Sequence, residues 1–98
     1  MRSRALFVAG VIAIALNGCS PIENREDFAT QVKNKTEAEV LKLAGKPAEI
    51  DRSNPDRVIW TYKSRTFDAG TRRTDAETGV IFTPAPDGKL HVVDVRFK

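Results

Sequence analysis

Apolar and polar residues alternate in two stretches of the C-terminal half, from Arg57 to Thr66 and from Leu90 to Phe97. Because successive side chains of a strand point to opposite faces of a sheet, each stretch predicts a β-strand with one buried face. A third apolar run, from Val80 to Thr83, predicts another strand. The side chains predicted to face the core from the two alternating strands are Val58, Trp60, Tyr62, Val93, Val95 and Phe97.

Two short helices are predicted before these strands. Asn24 is a suitable N-cap for a helix from about Arg25 to Lys33, and Asn34 can adopt the left-handed conformation that ends it. The second helix begins at the capping box Thr36-Glu37-Ala38-Glu39 and stops at Gly45. Its predicted core residues are Val40 and Leu43.

The remaining segments are predicted to be connections. Residues 48–52 form a short strand or an extended arm, and residues 53–56 and 84–88 have the composition of turns. From Asp68 to Gly79 the chain is polar and lacks periodicity, which predicts a mobile loop. The predicted order is therefore helix, helix, then antiparallel strands.

The N-terminal segment has the pattern of an export signal. Arg2 and Arg4 precede an apolar run from Ala5 to Leu16. At about 1.5 Å per residue this run spans only about 18 Å, short of the ~30 Å hydrocarbon core of a bilayer, so it predicts targeting rather than a membrane span. Asn17-Gly18-Cys19 then resembles the lipobox of bacterial lipoproteins, in which signal peptidase II cleaves before a lipid-modified cysteine.

Cys19 is the only cysteine in the chain. A lone exported cysteine pairs with another chain, stays free or is modified, and its position directly after the apolar run favours modification. The resemblance implies a signal peptide over residues 1–18, a lipidated tether over 19–24 and a folded domain over 25–98. Ser20, where enteric-type lipoproteins of the inner membrane have aspartate, favours anchoring in the outer membrane on its periplasmic side.

Size and charge restrict the function. Removal of residues 1–18 leaves 80 residues, enough for one small domain. The formal net charge of +3 includes Arg2 and Arg4, so the mature chain has 14 basic and 13 acidic residues. A nearly neutral domain gives no indication of a nucleic-acid partner.

The sequence contains no recognisable catalytic constellation. His91 is the only histidine, and neither a glycine-rich phosphate loop nor a nucleophile elbow is present. One imidazole among scattered carboxylates does not make a metal site, which needs three or four ligands. We therefore predict no enzymatic activity, no catalytic residue, no metal and no cofactor, and a structural or surface role for His91.

Residues 31–47 and the later triplet Trp60-Thr61-Tyr62 resemble the SmpA/OmlA (BamE-like) family of small outer-membrane lipoproteins. Its members commonly read G-M-[ST]-x-x-[EQ]-V-x-x-x-L-G-x-P, followed by W-x-Y. This chain has Asn34 and Lys35 in place of Gly-Met. The resemblance implies an α+β fold (ααβββ) with two N-terminal helices packed on one face of a three-stranded antiparallel sheet. It also implies an accessory role in outer-membrane β-barrel assembly.

The face of the sheet opposite the helices is the candidate partner surface. Two short helices cover only one side, so an aliphatic and threonine patch is left on the other, either for a partner or a second copy, or as a tolerated solvent face. By strict alternation its members are Ile59, Thr61, Ile81, Thr83, Leu90 and Val92.

The functional hypothesis is a lipid-anchored periplasmic scaffold that supports barrel assembly or envelope integrity by contact with other envelope proteins. The alternative is a freestanding envelope lipoprotein that acts as a protein inhibitor or ligand-binding module without a role in barrel assembly. The sequence leaves open whether the protein is a monomer or a dimer.

Overall fold

The structure is a computed structural model that describes residues 22–98. The predicted signal peptide and the predicted lipidation site at Cys19 lie outside the described residues. Within residues 22–98, neither helix has the length and hydropathy needed to cross a membrane.

The described chain forms two helices and two sheets. The elements are β1 Glu23–Asn24, α1 Arg25–Val32, α2 Glu37–Ala44, β2 Glu49–Asp51, β3 Val58–Lys63, β4 Thr66–Asp68, β5 Arg73–Thr74, β6 Glu77–Pro84 and β7 Leu90–Phe97. Strands β2, β3, β6 and β7 make a four-stranded antiparallel sheet in that order, and a small sheet has the order β1, β4, β5, with β1 parallel to β4. The predicted fold of two helices on a single three-stranded sheet is therefore wrong.

Part of the small sheet, namely Asp68 at the end of β4 and the whole of β5, comes from the segment predicted to be a mobile loop. The strand predicted to continue to Thr66 ends at Lys63, because the backbone turns at Ser64 (φ 50°) and starts again as β4. Asp75 donates its backbone N–H to the Thr66 carbonyl at 2.8 Å. This segment is ordered by hydrogen bonds between polar residues, so it lacks the apolar periodicity that sequence reasoning depends on.

The helix ends follow the local signals in the sequence. The Asn24 side chain accepts a hydrogen bond from the Asp27 N–H at 2.8 Å, and the capping box between Thr36 and Glu39 is complete. Asn34 (φ 61°) has the left-handed conformation expected after α1, and Gly45 (φ 83°) follows α2. These predictions are confirmed, with α1 one residue shorter than expected.

The core lies between the helices and one face of the four-stranded sheet. The Trp60 and Phe82 rings pack 5.0 Å apart, and Phe28 meets Tyr62 edge-on at 6.0 Å. Leu43 is 44% exposed, so its prediction as a core residue is wrong; the face of α2 toward the sheet passes through Val40 and Ala44 instead. The core residues are Phe28, Val32, Val40, Ala44, Val58, Trp60, Tyr62, Val80, Phe82 and Val92.

A β-bulge in β7 reverses the predicted facing of the residues up to Val93 and leaves that of the later residues unchanged. Ile81 pairs with Asp94 but Phe82 pairs with Val92, which leaves Val93 as an extra residue. Val92 is accordingly 2% exposed and Val93 59% exposed. The prediction of Val93 as core is wrong. Beyond the bulge Val95 packs against the core and Phe97 is half-buried, as predicted.

The chain enters the fold earlier than the predicted domain boundary. The tether predicted over residues 19–24 includes Glu23 and Asn24, but these two residues form β1 beside Thr66 and Phe67 of β4. Both therefore belong to the folded domain.

Candidate functional site

The face of the four-stranded sheet opposite the helices carries a shallow depression of about 200 Å³. We call its floor the open sheet face and define it by Ile59, Thr61, Gly79 and Ile81. Ile59 lies opposite Ile81, and Thr61 lies opposite Gly79, on the adjacent strands β3 and β6. The floor dips beside Thr61 because Gly79 has no side chain.

Gly79 has space where a side chain would be. A Cβ atom built there would lie 3.8 Å from Ile59 Cγ2 and 3.9 Å from the Arg96 carbonyl oxygen, which are ordinary van der Waals distances. The backbone therefore does not require glycine on steric grounds at this position. An alanine would fill part of the depression without displacing its neighbours.

The rim of the depression is mainly basic. Arg57, Arg96 and Lys98 line it together with one carboxylate, Glu77. Glu77 accepts a hydrogen bond from Lys63 Nζ at 2.7 Å, and this contact lowers the pKa of the carboxyl and raises that of the lysine. Lys98 Nζ also lies 3.7 Å from the Glu77 carboxylate, and Arg96 Nε donates to Asp94 at 3.1 Å, so the cations of the rim are interleaved with carboxylates.

The structure separates the predicted partner surface into two groups. Ile59 and Thr61 are half-buried on the open sheet face, and Ile81, opposite Ile59, is 4% exposed. Thr83 is also half-buried but pairs with His91 toward the end of β6. The remaining two members were placed on this face wrongly, because the bulge turns that part of β7 toward the helices: Val92 is in the core and Leu90 packs against it.

Sequence reasoning missed Gly79 and the basic rim. Both are visible only once β3, β6 and β7 are in register, since Arg96 lies next to Gly79 and Gly79 next to Thr61. The run from Val80 to Thr83 gave the strand but not its start at Glu77. The signal available in advance was Gly79 itself, directly before the apolar run from Val80 to Thr83. A glycine within a strand often marks a place where a ligand or another chain approaches the backbone closely.

A buried polar network connects α1 to both sheets. Arg25 donates to both carboxylate oxygens of Asp75, at 2.5 to 3.2 Å, and Thr66 Oγ1 donates to the same carboxylate at 2.7 Å. Thr66 and Thr78 share a further hydrogen bond of 2.6 Å. The hydrogen bonds from Arg25 hold the pKa of Asp75 below its usual range. This network explains the packing of the small sheet, and the Asp75 carboxylate is occupied by these partners.

His91 joins two connections of the fold. Its Nδ1 lies 2.7 Å from the Asn34 carbonyl oxygen, and its Nε2 lies 2.7 Å from Asp87 Oδ2. Because both ring nitrogens face oxygen acceptors, the protonated ring is favoured and the pKa of His91 is raised, first by Asn34 and then by Asp87. The ring ties the α1–α2 connection to the β6–β7 hairpin.

Among residues 22–98, His, Asp and Glu side chains form no group that could hold a metal ion. No protein family, no curated protein and no solved structure matches this chain. In the structure, the residues that resemble the family motif act in folding: Thr36 caps α2, the Tyr62 hydroxyl donates to the Gly45 carbonyl at 2.8 Å, and Trp60 lies in the core.

Proposed function

We propose that this chain is a lipid-anchored, periplasm-facing binding module and an accessory of outer-membrane β-barrel protein assembly. The observation that carries the binding role is the open sheet face. The lipobox-like segment ending at Cys19 supports the anchor, and the resemblance of residues 31–47 to the SmpA/OmlA family supports the place in barrel assembly.

The dimensions of the open sheet face favour a protein partner over a small molecule. Its depression of about 200 Å³ is smaller than the roughly 300 to 1,000 Å³ of typical ligand pockets. The depression above Gly79, which Ile59, Thr61 and Ile81 also line, is large enough for one aliphatic side chain of a partner. Arg57 at the rim favours an acidic group beside that side chain.

The surface is tested by co-purification in mild detergent with a matched set of variants. Ile59→Asp places a charge on the floor, and Gly79→Trp fills the depression with a large side chain. Val93→Asp is the control, since Val93 is an exposed aliphatic residue outside the lining of the depression. We expect the first two variants to lose the partner and the control to keep it, with all three folded by circular dichroism.

Retention of the partner by folded Ile59→Asp and Gly79→Trp would refute the open sheet face as the interface. The identity of the co-purified proteins tests the second half of the proposal. Recovery of the barrel-insertion machinery supports an accessory role in assembly. A reproducible partner without that machinery would instead support a freestanding inhibitor or ligand-binding module.

The anchor is tested by labelling with a radioactive fatty acid. We expect the protein to incorporate the label and the Cys19→Ala variant to remain unlabelled. An unlabelled parent protein recovered from the soluble fraction would refute the lipid anchor.

A further inference from the structure

The chain is fixed in the fold immediately after Ile22. Glu23 donates its backbone N–H to the Arg65 carbonyl at 3.2 Å, and its carboxylate lies 2.9 Å from the Arg65 guanidinium. The other oxygen of that carboxylate accepts a hydrogen bond from the Gln31 side chain. These three contacts, two to Arg65 in the β3–β4 connection and one to Gln31 in α1, fix Glu23 in the fold, so it does not act as a tether.

We infer that the folded domain lies directly on the bilayer surface, held at one defined end. This inference rests on the proposed lipidation of Cys19. Only four residue steps separate Cys19 from Glu23. At no more than ~3.6 Å per residue they reach about 14 Å, so the start of β1 stays within that distance of the acylated cysteine.

Hydrogen bonds identify which part of the molecule shares this end. Ser64, next to Arg65, donates its N–H to the Ala76 carbonyl at 3.2 Å, and Ala76 donates to the Lys98 carbonyl at 2.8 Å. The end of β3, the start of β6 and the end of β7 therefore meet beside Arg65. We call this region the anchor end.

The anchor end carries side chains suited to a bilayer surface. Ile22 is 47% exposed, and the side chains of Lys63 and Lys98 are 54% and 79% exposed. An exposed aliphatic residue at the same end as exposed lysines suits the boundary between headgroups and acyl chains, because lysine stems cover apolar surface there. The Lys63 ammonium is paired with Glu77, which leaves Lys98 as the more exposed of the two lysines for contact with phosphates.

The β6–β7 hairpin lies at the opposite end of the sheet. From Glu77 to Pro84, β6 advances seven steps at ~3.4 Å, so the hairpin is about 24 Å from the anchor end. With the anchor end on the bilayer, the strands run away from the membrane. The open sheet face then points sideways, toward neighbours in the same membrane.

The test compares two exposed lysines at the two ends of β7. Lys98→Cys and Lys89→Cys are made separately in the full lipoprotein, where acylation of Cys19 leaves the new cysteine as the only free thiol. Each is labelled with a fluorophore and reconstituted into phosphatidylcholine vesicles containing a lipid with a spin-labelled headgroup. We expect a greater loss of emission by quenching at position 98 than at position 89.

A second pair of samples tests the short connection itself. Ten Gly and Ser residues inserted between Ser20 and Pro21 extend the tether, and the difference in quenching between positions 98 and 89 should shrink. Mass spectrometry of the N-terminal peptide confirms acylation in each sample.

Equal quenching at the two positions of acylated protein, greater quenching at position 89, or a difference that survives the insertion unchanged would each overturn the inference while leaving the lipid anchor intact. A bare Cys19 thiol in soluble material would remove both the anchor and the inference.

Discussion

The bulge in β7 leads to a prediction that contradicts strict alternation. Val92 and Val93 are adjacent valines, but Val92 is 2% exposed and Val93 is 59% exposed. Replacement of either by alanine removes the same two methyl groups. Only their environments differ, so each variant serves as the control for the other.

The expected cost of Val92→Ala combines lost burial with a cavity. At ~0.8 kcal/mol per buried methyl or methylene group, plus the cavity left in a packed core, the loss is about 1.5 to 3 kcal/mol. In a domain of this size that lowers the melting temperature by roughly 6 to 24 °C. Val93→Ala should change stability by no more than about 0.5 kcal/mol, as is usual for exposed positions.

Urea unfolding of the purified protein measures both variants. Trp60 is the only tryptophan, and its ring packs against Phe82, the β6 partner of Val92, so its fluorescence reports loss of the core directly. The slope of the free energy against urea should be the same in both variants. Greater destabilisation by Val93→Ala would support strict alternation, and equal destabilisation would contradict the difference in burial that the bulge gives the two valines.

Four further measurements test other parts of the structure. Trp60→Ala should cost about 3 to 5 kcal/mol, seen as loss of the folded circular-dichroism signal at modest urea. Burial raises the pKa of Tyr62, the only tyrosine, to about 12, so tyrosinate absorbance should appear well above pH 10; ionisation near pH 10 would place the hydroxyl in water. Because the pKa of His91 is raised in the folded protein, the protonated ring stabilises the fold fully below about pH 6.5, and this stabilisation is lost as the pH rises through the folded pKa. Thermal unfolding should therefore show a lower melting temperature for His91→Gln than for the parent protein at acidic pH but not at alkaline pH. Asp75→Ala should lower the free energy of unfolding by about 1.5 to 3 kcal/mol. Because pairing with Arg25 lowers the pKa of Asp75, the parent protein should lose this stabilisation only as the pH falls below the usual pKa range of an aspartate. A difference in stability between the two proteins that does not depend on pH would contradict the pairing with Arg25.

The helices could be predicted because their signals are local. A capping box needs only Thr36 and Glu39, and the left-handed residue Asn34 needs only its own side chain and its place after an apolar turn. The inward faces of β3 followed from alternation that nothing interrupts between Val58 and Tyr62. In each case the evidence lies within a few residues of the element.

The small sheet and the bulge depend on distant partners. Thr66 and Asp75 can be buried because the Thr66 hydroxyl donates to the Asp75 carboxylate, and the same carboxylate accepts from Arg25, 50 positions away. A polar residue satisfied in this way looks in the sequence like a loop residue. Val92 faces inward because it exchanges backbone hydrogen bonds with Asn34 and Lys35, so the sequence of β7 alone cannot reveal the shift. The prediction of which residues lie on the face opposite the helices was correct for β3 and β6 and wrong for the part of β7 before its bulge.

The two hydrogen bonds between the α1–α2 connection and Val92 also constrain when the molecule can fold. The helices are made early in synthesis, but the strand that fastens them comes last, and β1 must likewise wait for β4. Helices of eight residues do not persist alone in water. On the proposed export route, stable structure would therefore form only after the final strand had crossed the membrane.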